Sequence, residues 1–273
     1  MDQRECMKNF KLTIEYDGTN FNGWQIQAAG RTVQGEIERA LSKMTRRHVR
    51  VIGSGRTDAG VHALGQIAAF RCETRLSAAV FFSGLNSLLP DDIIIRECEQ
   101  APDDFHPRYD ATAKTYHYNI LNRPLPAAIG RAYCWHIRKP LDIAAMKAAI
   151  RNVIGTHDFK AFENTGSPRS HTVRTIHDAD IITGPSDDLV TLRVTANGFL
   201  RYMVRNIVAT IVDAGLSKLS PHDVAAILAK KDRRLASATA PPHGLFLHRV
   251  YYEAKPPGAT SNSLTMHYTN TNL

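Results

Sequence analysis

Apolar residues recur along the first hundred residues with two different periods. Residues 10–16 alternate between apolar and polar side chains, which is the pattern of a strand with one buried face. From Thr32, which is placed to act as an N-cap, apolar residues recur at helical spacing as far as Met44. Read in order, this half predicts a strand, a helix, two strands, a helix and a strand, at residues 10–16, 32–47, 48–52, 64–70, 77–90 and from 93 onward.

The second half repeats this order of elements without an obvious repeat of residues. It predicts a strand, a helix, two strands, a helix, an extra helix and a last strand, at residues 112–121, 142–155, 173–182, 189–196, 200–214, 220–230 and 246–252. One helix in each half has a clear apolar stripe. The predicted buried residues are Ala78, Phe81, Phe82, Leu85 and Leu88 in the first, and Ile143, Met146, Ile150 and Val153 in the second.

The repeated order is that of the ferredoxin-like unit. We therefore predict an α+β fold of two ferredoxin-like βαββαβ halves, at residues 8–104 and 105–255. The halves would form a mainly antiparallel sheet with helices on one face and a cleft between the halves. Residues 256–273 are rich in Pro, Ser, Thr and Asn, a composition that predicts a disordered tail.

Residues 53–62 (GSGRTDAGVH) stand between two predicted strands and contain three glycines, so the backbone turns tightly or approaches another group closely. The turn holds one guanidinium, Arg56, one carboxylate, Asp58, and one imidazole, His62. Its glycine spacing matches neither the dinucleotide-binding pattern nor a phosphate-binding P-loop. The residues alone are also compatible with a plain turn between two strands.

Composition suggests the kind of partner. The chain has 34 Lys and Arg against 26 Asp and Glu, a formal net charge of +8, which suits a polyanion. The N-terminus is polar and the sequence has no long apolar run, so we expect no signal peptide and no membrane-spanning helix. The histidines and cysteines show no metal-ligand spacing. Four widely spaced cysteines, Cys6, Cys72, Cys98 and Cys134, predict buried free thiols in a reducing cytoplasm.

Residues 55–63 (GRTDAGVHA) resemble the signature of the TruA family of tRNA pseudouridine synthases, and further similar segments span most of residues 10–252. The resemblance implies that Asp58 is the catalytic aspartate. Residues 17–25 (DGTNFNGWQ) resemble the family's first signature. In the link between the halves, His106 and Arg108 match the family's pattern, although Pro107 replaces the usual alanine. We expect His106 to be a hydrogen-bonded structural residue rather than a catalytic one.

Two more segments carry implied site residues. Residues 114–118 (KTYHY) resemble the family's tyrosine motif, which implies that Tyr116 lies over the target base, whereas core packing explains the residue equally well without the resemblance. Residues 241–247 (PPHGLFL) resemble the last motif, in which Leu245 would line the uracil pocket.

Arg205 lies in a largely apolar predicted helix, where a guanidinium must reach solvent or pair with a carboxylate. The resemblance implies that its partner is Asp58, and we expect this pairing to lower the pKa of Asp58. The segment departs from the family's usual residues at Arg201 and Ala209. Arg201 precedes Arg205 by one predicted helical turn, so either arginine could point inward.

The implied reaction isomerises uridine to pseudouridine in tRNA. Substrate and product contain the same atoms, so the chemistry predicts no cofactor and no metal. Asp58 would act at C1′ or C6 of a flipped nucleotide, and Arg56 would fill the vacated space or hold that nucleotide. The resemblance further implies action at tRNA positions 38, 39 and 40, by a cytoplasmic homodimer with an RNA-binding cleft. Two other functions stay open, a non-catalytic RNA-binding protein and a carboxylate-dependent nucleoside hydrolase.

Overall fold

The computed structural model of the chain describes residues 6–164, 171–184 and 188–253. Its strands are β1 (Cys6–Tyr16), β2 (Val51–Gly53), β3 (His62–Thr74), β4 (Ile93–Ala101), β5 (Ala113–Asn122), β6 (Trp135–Ile137), β7 (Gly155–Asp158), β8 (Val173–Thr183), β9 (Leu189–Ala196) and β10 (Leu245–Tyr251). Its α-helices are α1 (Val33–Thr45), α2 (Ala78–Leu88), α3 (Ile143–Arg151), α4 (Met203–Gly215) and α5 (Pro221–Lys230). The predicted tail at residues 256–273 lies outside the described residues.

The ten strands of the described residues form one sheet in the order β4-β1-β3-β10-β5-β9-β8-β7, with β2 beside β3 and β6 beside β5. Neighbouring strands are antiparallel except for two pairs, β3 with β10 and β5 with β6. The predicted mixed α+β fold with a mainly antiparallel sheet is therefore confirmed.

Strand β3 changes its partner partway along one edge, and this change locates the site. At its start, His62 and Ala63 pair with Phe246 and Leu247 of β10. Further along, β3 pairs with the short strand β2 on the same side. The loop that carries Asp58 connects β2 to β3. It therefore joins the sheet at the point where β3, from the first half of the chain, pairs with β10, from the second half.

The core beneath the first strands is aromatic. The rings of Phe10, Phe70 and Phe81 lie within about 5 Å of one another, at 5.1, 4.8 and 5.0 Å between centroids. Phe81 and Leu85 of α2 are fully buried, but Phe82 is 39% exposed and Leu88 41% exposed. The predicted stripe was too wide because α2 meets the sheet along one narrow line of residues four apart.

Element boundaries differ from the predictions in several places. Strands β6 and β7 were not predicted, because strands of three and four residues are too short to show a period. The helix predicted to run to Gly155 ends at Arg151, and Gly155, with φ of 109°, begins β7. Helix α4 begins at Met203 because Tyr202 has a left-handed backbone, with φ of 64°. Arg201 therefore lies outside the helix rather than one turn before Arg205.

Within the part of the chain that the structure describes, no helix combines the length and hydrophobicity needed to cross a bilayer. The four cysteines are free, as predicted, but only Cys72 is buried; Cys6 is exposed, and Cys98 and Cys134 are partly exposed.

Candidate active site

The loop between β2 and β3 is braced by the loop that follows β1. The backbone N–H of Trp24 donates to the carbonyl oxygen of Thr57 at 3.1 Å. The hydroxyls of Tyr16 and Thr57 lie 2.7 Å apart. Gly23 has φ of 89°, and a Cβ there would lie 2.6 Å from the Thr57 oxygen, so the close approach requires glycine. Trp24 is buried and packs over Gly53, so it covers the core and its ring is not exposed for stacking on RNA.

A second brace comes from β5 and β3. Lys114 donates from Nζ to the carbonyl oxygen of Ser54 at 2.5 Å. Gln66 accepts from the Ser54 hydroxyl at 2.7 Å and donates to the carbonyl oxygen of Gly55 at 3.0 Å. Burial, and next the charge of Arg108, lower the pKa of Lys114 to about 8. Backbone atoms on both sides of the turn are thus held in place, and Asp58 projects from a rigid loop.

Asp58 pairs with Arg205, as predicted. Nη1 of Arg205 lies 3.5 Å from Oδ2 of Asp58, and the two side chains are only 12% and 24% exposed. Arg205 also donates from Nε to the carbonyl oxygen of Ala240 at 2.7 Å, and its guanidinium carbon lies 4.8 Å from the centre of the Tyr202 ring. Three contacts therefore orient the guanidinium toward the carboxylate.

The expected direction of the Asp58 pKa was wrong. Burial raises the pKa of this carboxyl, and the charges of Arg205 and Arg201 lower it by less, so the net shift is upward. The prediction failed because it counted the arginine partner and left out the loss of water around the carboxylate. Arg201 is exposed, with its guanidinium carbon 5.0 Å from the centre of the Tyr202 ring.

Tyr116 lies on β5 near the loop that carries Asp58. It is 8% exposed, and its ring meets that of Phe199 edge to face at 5.0 Å. Burial raises the pKa of Tyr116, and the nearby phenol of Tyr16 and charge of Asp58 raise it further. The structure thus brings Tyr116 into electrostatic reach of Asp58, although the two residues are far apart in the sequence.

Leu245 and Arg56 occupy different surroundings. Leu245 opens β10, is 5% exposed and lies opposite Tyr118 in the sheet. Arg56 is exposed on the loop that carries Asp58, and its Nε donates to Oε1 of Gln25 at 3.1 Å.

Residues 240–244, which belong to the second half of the chain, pack against the loop that carries Asp58. Ala240 accepts from Arg205, and Pro241 accepts from the Tyr118 hydroxyl at 2.8 Å. A Cβ at Gly60 would lie 2.9 Å from Cγ of Pro242, so this segment packs directly on the loop. Sequence reasoning assigned no role to Ala240 or to Lys114, because main-chain acceptors and a buried brace leave no signal in a single sequence.

His62 supports the same junction as a neutral imidazole. Its Nδ1 accepts from the Gly18 N–H at 3.0 Å, and its Nε2 donates to the carbonyl oxygen of His243 at 3.1 Å. Burial lowers the pKa of His62, which agrees with this tautomer. The short distance of 3.0 Å from Nδ1 to Asp17 Oδ1 is then a contact between two acceptors, not an ion pair. His106 is likewise hydrogen-bonded, as predicted, since its Nδ1 accepts from two backbone N–H groups.

Comparison with known proteins gives one consistent result. The sequence profile of a family described as "tRNA pseudouridine synthase" matches residues 12–110 and 149–253. A protein of Thermoanaerobacter sp. named tRNA pseudouridine synthase A is 46% identical over 246 residues, which is 90% of this chain and 100% of that protein. A Clostridium tetani protein named tRNA pseudouridine synthase A 2 is 45% identical over 90% of this chain and 99% of its own length.

A third relative, from Maridesulfovibrio salexigens and also named tRNA pseudouridine synthase A, is 43% identical over 94% of this chain and 95% of its own length. The profile covers well over half of the chain, and these relatives align along nearly their whole lengths. This chain belongs to the tRNA pseudouridine synthase family.

Proposed function

We propose that this protein isomerises uridine to pseudouridine in tRNA, with Asp58 as the nucleophile. The observation that carries the proposal is the ion pair of Asp58 with Arg205, at 3.5 Å, where a loop from the first half of the chain meets a helix from the second. Family membership adds the substrate class, because the relatives are named for tRNA.

The reaction breaks the bond from ribose C1′ to uracil N1 and forms a bond from C1′ to C5. The C5 proton leaves to water and N1 gains a proton, so the atoms balance without an oxidant or a reductant. A single carboxylate beside the sugar can attack or stabilise the electron-poor centre, as in glycoside hydrolysis. Arg205 aims the carboxylate and opposes the effect of burial on its charge.

The other site residues take roles around the flipped nucleotide. Tyr116 lies within reach of the Asp58 charge and would contact the target base. Leu245, buried at the start of β10, would line the uracil pocket. Arg56 is exposed on the catalytic loop, where it can occupy the space that the base leaves or hold the extruded nucleotide.

The substrate region and assembly follow from the family resemblance. We infer action at positions 38, 39 and 40 of the anticodon stem-loop, by a cytoplasmic homodimer in which one tRNA touches both chains. The net charge of +8 supports the binding of a polyanion.

We further propose that residues 8–104 and 105–255 are two ferredoxin-like domains with helices on one face of the sheet. The strand neighbours support this division: β4-β1-β3-β2 in the first half and β10-β5-β9-β8 in the second place equivalent strands in the same order. The RNA-binding cleft would lie along the junction of β3 with β10.

One experiment tests the function against its alternatives. Unmodified transcribed tRNA with tritium at uridine C5 is incubated with the protein. Isomerisation releases tritium to water without free base, hydrolysis of the nucleoside releases free base, and simple binding releases neither. Release of free base, or no release at all under single-turnover conditions, would overturn the proposal.

A further inference from the structure

Arg56 is held by one side chain outside its own loop. Its Nε donates to Oε1 of Gln25 at 3.1 Å, across 31 residues of sequence. Among the described residues, no acceptor binds its terminal nitrogens, Nη1 and Nη2. The contact with Gln25 therefore orients the plane of the guanidinium and leaves its outer edge free for a substrate.

Gln25 is itself the end of a hydrogen-bonded chain that runs into the protein. Its Nε2 donates to Oε1 of Gln34 at 2.7 Å. Nε2 of Gln34 donates in turn to Oε1 of Glu38 at 2.9 Å and to the carbonyl oxygen of Val51 at 3.0 Å. Gln34 is 4% exposed and Glu38 is 6% exposed, so most of this hydrogen-bonded chain of side chains is buried.

Backbone groups determine which way every amide in this chain points. The N–H of Ile26 can only donate, and it donates to Oε1 of Gln34 at 3.1 Å. The carbonyl oxygen of Val51 can only accept, so Nε2 of Gln34 must face it. With Gln34 locked in this orientation, Gln25 must turn its Nε2 toward Gln34 and its oxygen toward Arg56. The main chain thus determines that an oxygen faces the guanidinium, through two intervening side chains, Gln34 and Gln25.

The buried part of this hydrogen-bonded chain, Gln34 and Glu38, has a structural role that does not involve Gln25. Glu38 accepts from the Val51 N–H at 2.9 Å, and with Gln34 it fastens α1 to β2. That fastening is complete without Gln25. A buried polar network is costly unless all its members are satisfied, so extending it to the half-buried Gln25 and out to Arg56 needs another explanation.

We propose that Gln25 is a positioning residue for Arg56, and that the Gln25–Gln34–Glu38 chain sets the orientation in which Arg56 meets the flipped nucleotide. This inference rests on the proposed function. Gln25 acts through Arg56 and does not touch the reacting atoms.

The test compares two substitutions of one residue. Gln25→Leu keeps the size of the side chain but removes the acceptor, and we expect the single-turnover rate of tritium release to fall about ten-fold or more, since a hydrogen bond to a charged group is lost. Gln25→Glu keeps an oxygen for Arg56 but places an acceptor against Oε1 of Gln34. It should recover most of the rate while its melting temperature falls below that of Gln25→Leu.

Gln27→Ala is the matched control. Gln27 lies in the same loop, is exposed and donates to the carbonyl oxygen of Asn22 at 2.6 Å, and its loss should leave the rate unchanged. In an Arg56→Ala background, Gln25→Leu should cause no further loss, because Gln25 acts through the residue that is already missing.

The outcomes separate the two proposals. If the wild type releases no tritium, the proposed function falls and the inference falls with it. If the wild type is active and Gln25→Leu matches it, or if the rates of the Gln25 variants simply follow their melting temperatures, only the role of Gln25 is overturned. An equal loss from Gln25→Leu with and without Arg56 would overturn it as well.

Discussion

Arg205→Met removes the charge that faces Asp58 while keeping a long apolar side chain on α4. At the observed separation of 3.5 Å, Coulomb's law gives about 1 kcal/mol in a water-like dielectric and about 5 kcal/mol at an effective dielectric of 20. The side chains are 12% and 24% exposed, so the interaction lies between these limits. Without Arg205, less positive charge offsets the effect of burial, so the pKa of Asp58 rises further. The free energy of the ionised form rises by the lost Coulomb energy, roughly 1 to 5 kcal/mol.

The expected result is a pH-dependent loss of rate. At neutral pH the single-turnover rate should fall by at most about a few thousand-fold, the kinetic equivalent of roughly 5 kcal/mol. The acid limb of the pH–rate profile should move to higher pH, so that part of the loss is recovered in alkaline buffer. tRNA affinity, measured by filter binding, should change much less.

Arg201→Met is the control, because Arg201 is exposed and makes no ion pair with Asp58 among the described residues. The charge of Arg201 also lowers the pKa of Asp58, but from an exposed position, so we expect a loss of rate much smaller than that of Arg205→Met. An undiminished rate for Arg205→Met would refute the reasoning. A loss of the same size at every pH would also refute it, since ionisation of Asp58 could not then be the cause.

Three further changes test the site and the RNA surface. Asp58→Asn should abolish tritium release while tRNA affinity stays within a few-fold, and more than trace activity would remove Asp58 from the nucleophile role. Because the folded-state pKa of Asp58 is raised, its contribution to stability is present below about pH 4 and is lost as the pH rises through the folded-state value. Asp58→Asn should therefore raise the melting temperature at pH 7 but not at pH 3. In an Arg205→Met background this gain should be larger, and additive effects in the double-mutant cycle would argue against the pairing in solution. tRNA affinity should fall with salt at a slope of roughly −0.7 to −0.9 per phosphate contact, and a flat response would exclude a phosphate-tracking surface. Charge reversal at Arg46 and Arg47, which follow the C-terminal end of α1, should weaken tRNA binding without slowing single-turnover chemistry. Slower chemistry with unchanged affinity would instead place the active site near the end of α1.

The periodic elements were predictable from the sequence because their periods reflect one buried face. The strands at 173–182 and 189–196 were predicted almost to the residue, and Ser220 caps α5 at the start of the helix predicted over residues 220–230. The short strands β6 and β7 carry no period. Phe82 and Leu88 have the right spacing for burial but remain exposed, because the width of a buried stripe depends on what the helix packs against.

The site divides in the same way. The signature stretch identified Asp58, and the cost of an unpaired guanidinium in an apolar segment pointed to Arg205 as a residue that needs a carboxylate. The need for a partner at Arg205 follows from residue type and local pattern, whereas the role of Asp58 and its pairing with Arg205 were implied by the family resemblance.

Only the tertiary structure decided the net direction of the Asp58 pKa, the bracing of its loop by Lys114, and the chain of amides that reaches Arg56 through Gln25. Desolvation depends on how much water the whole fold removes from one carboxylate. The direction in which an amide points depends on backbone groups that the fold brings beside it. Neither quantity has a local signature, because each is a sum over atoms that are distant in the chain and adjacent only after folding.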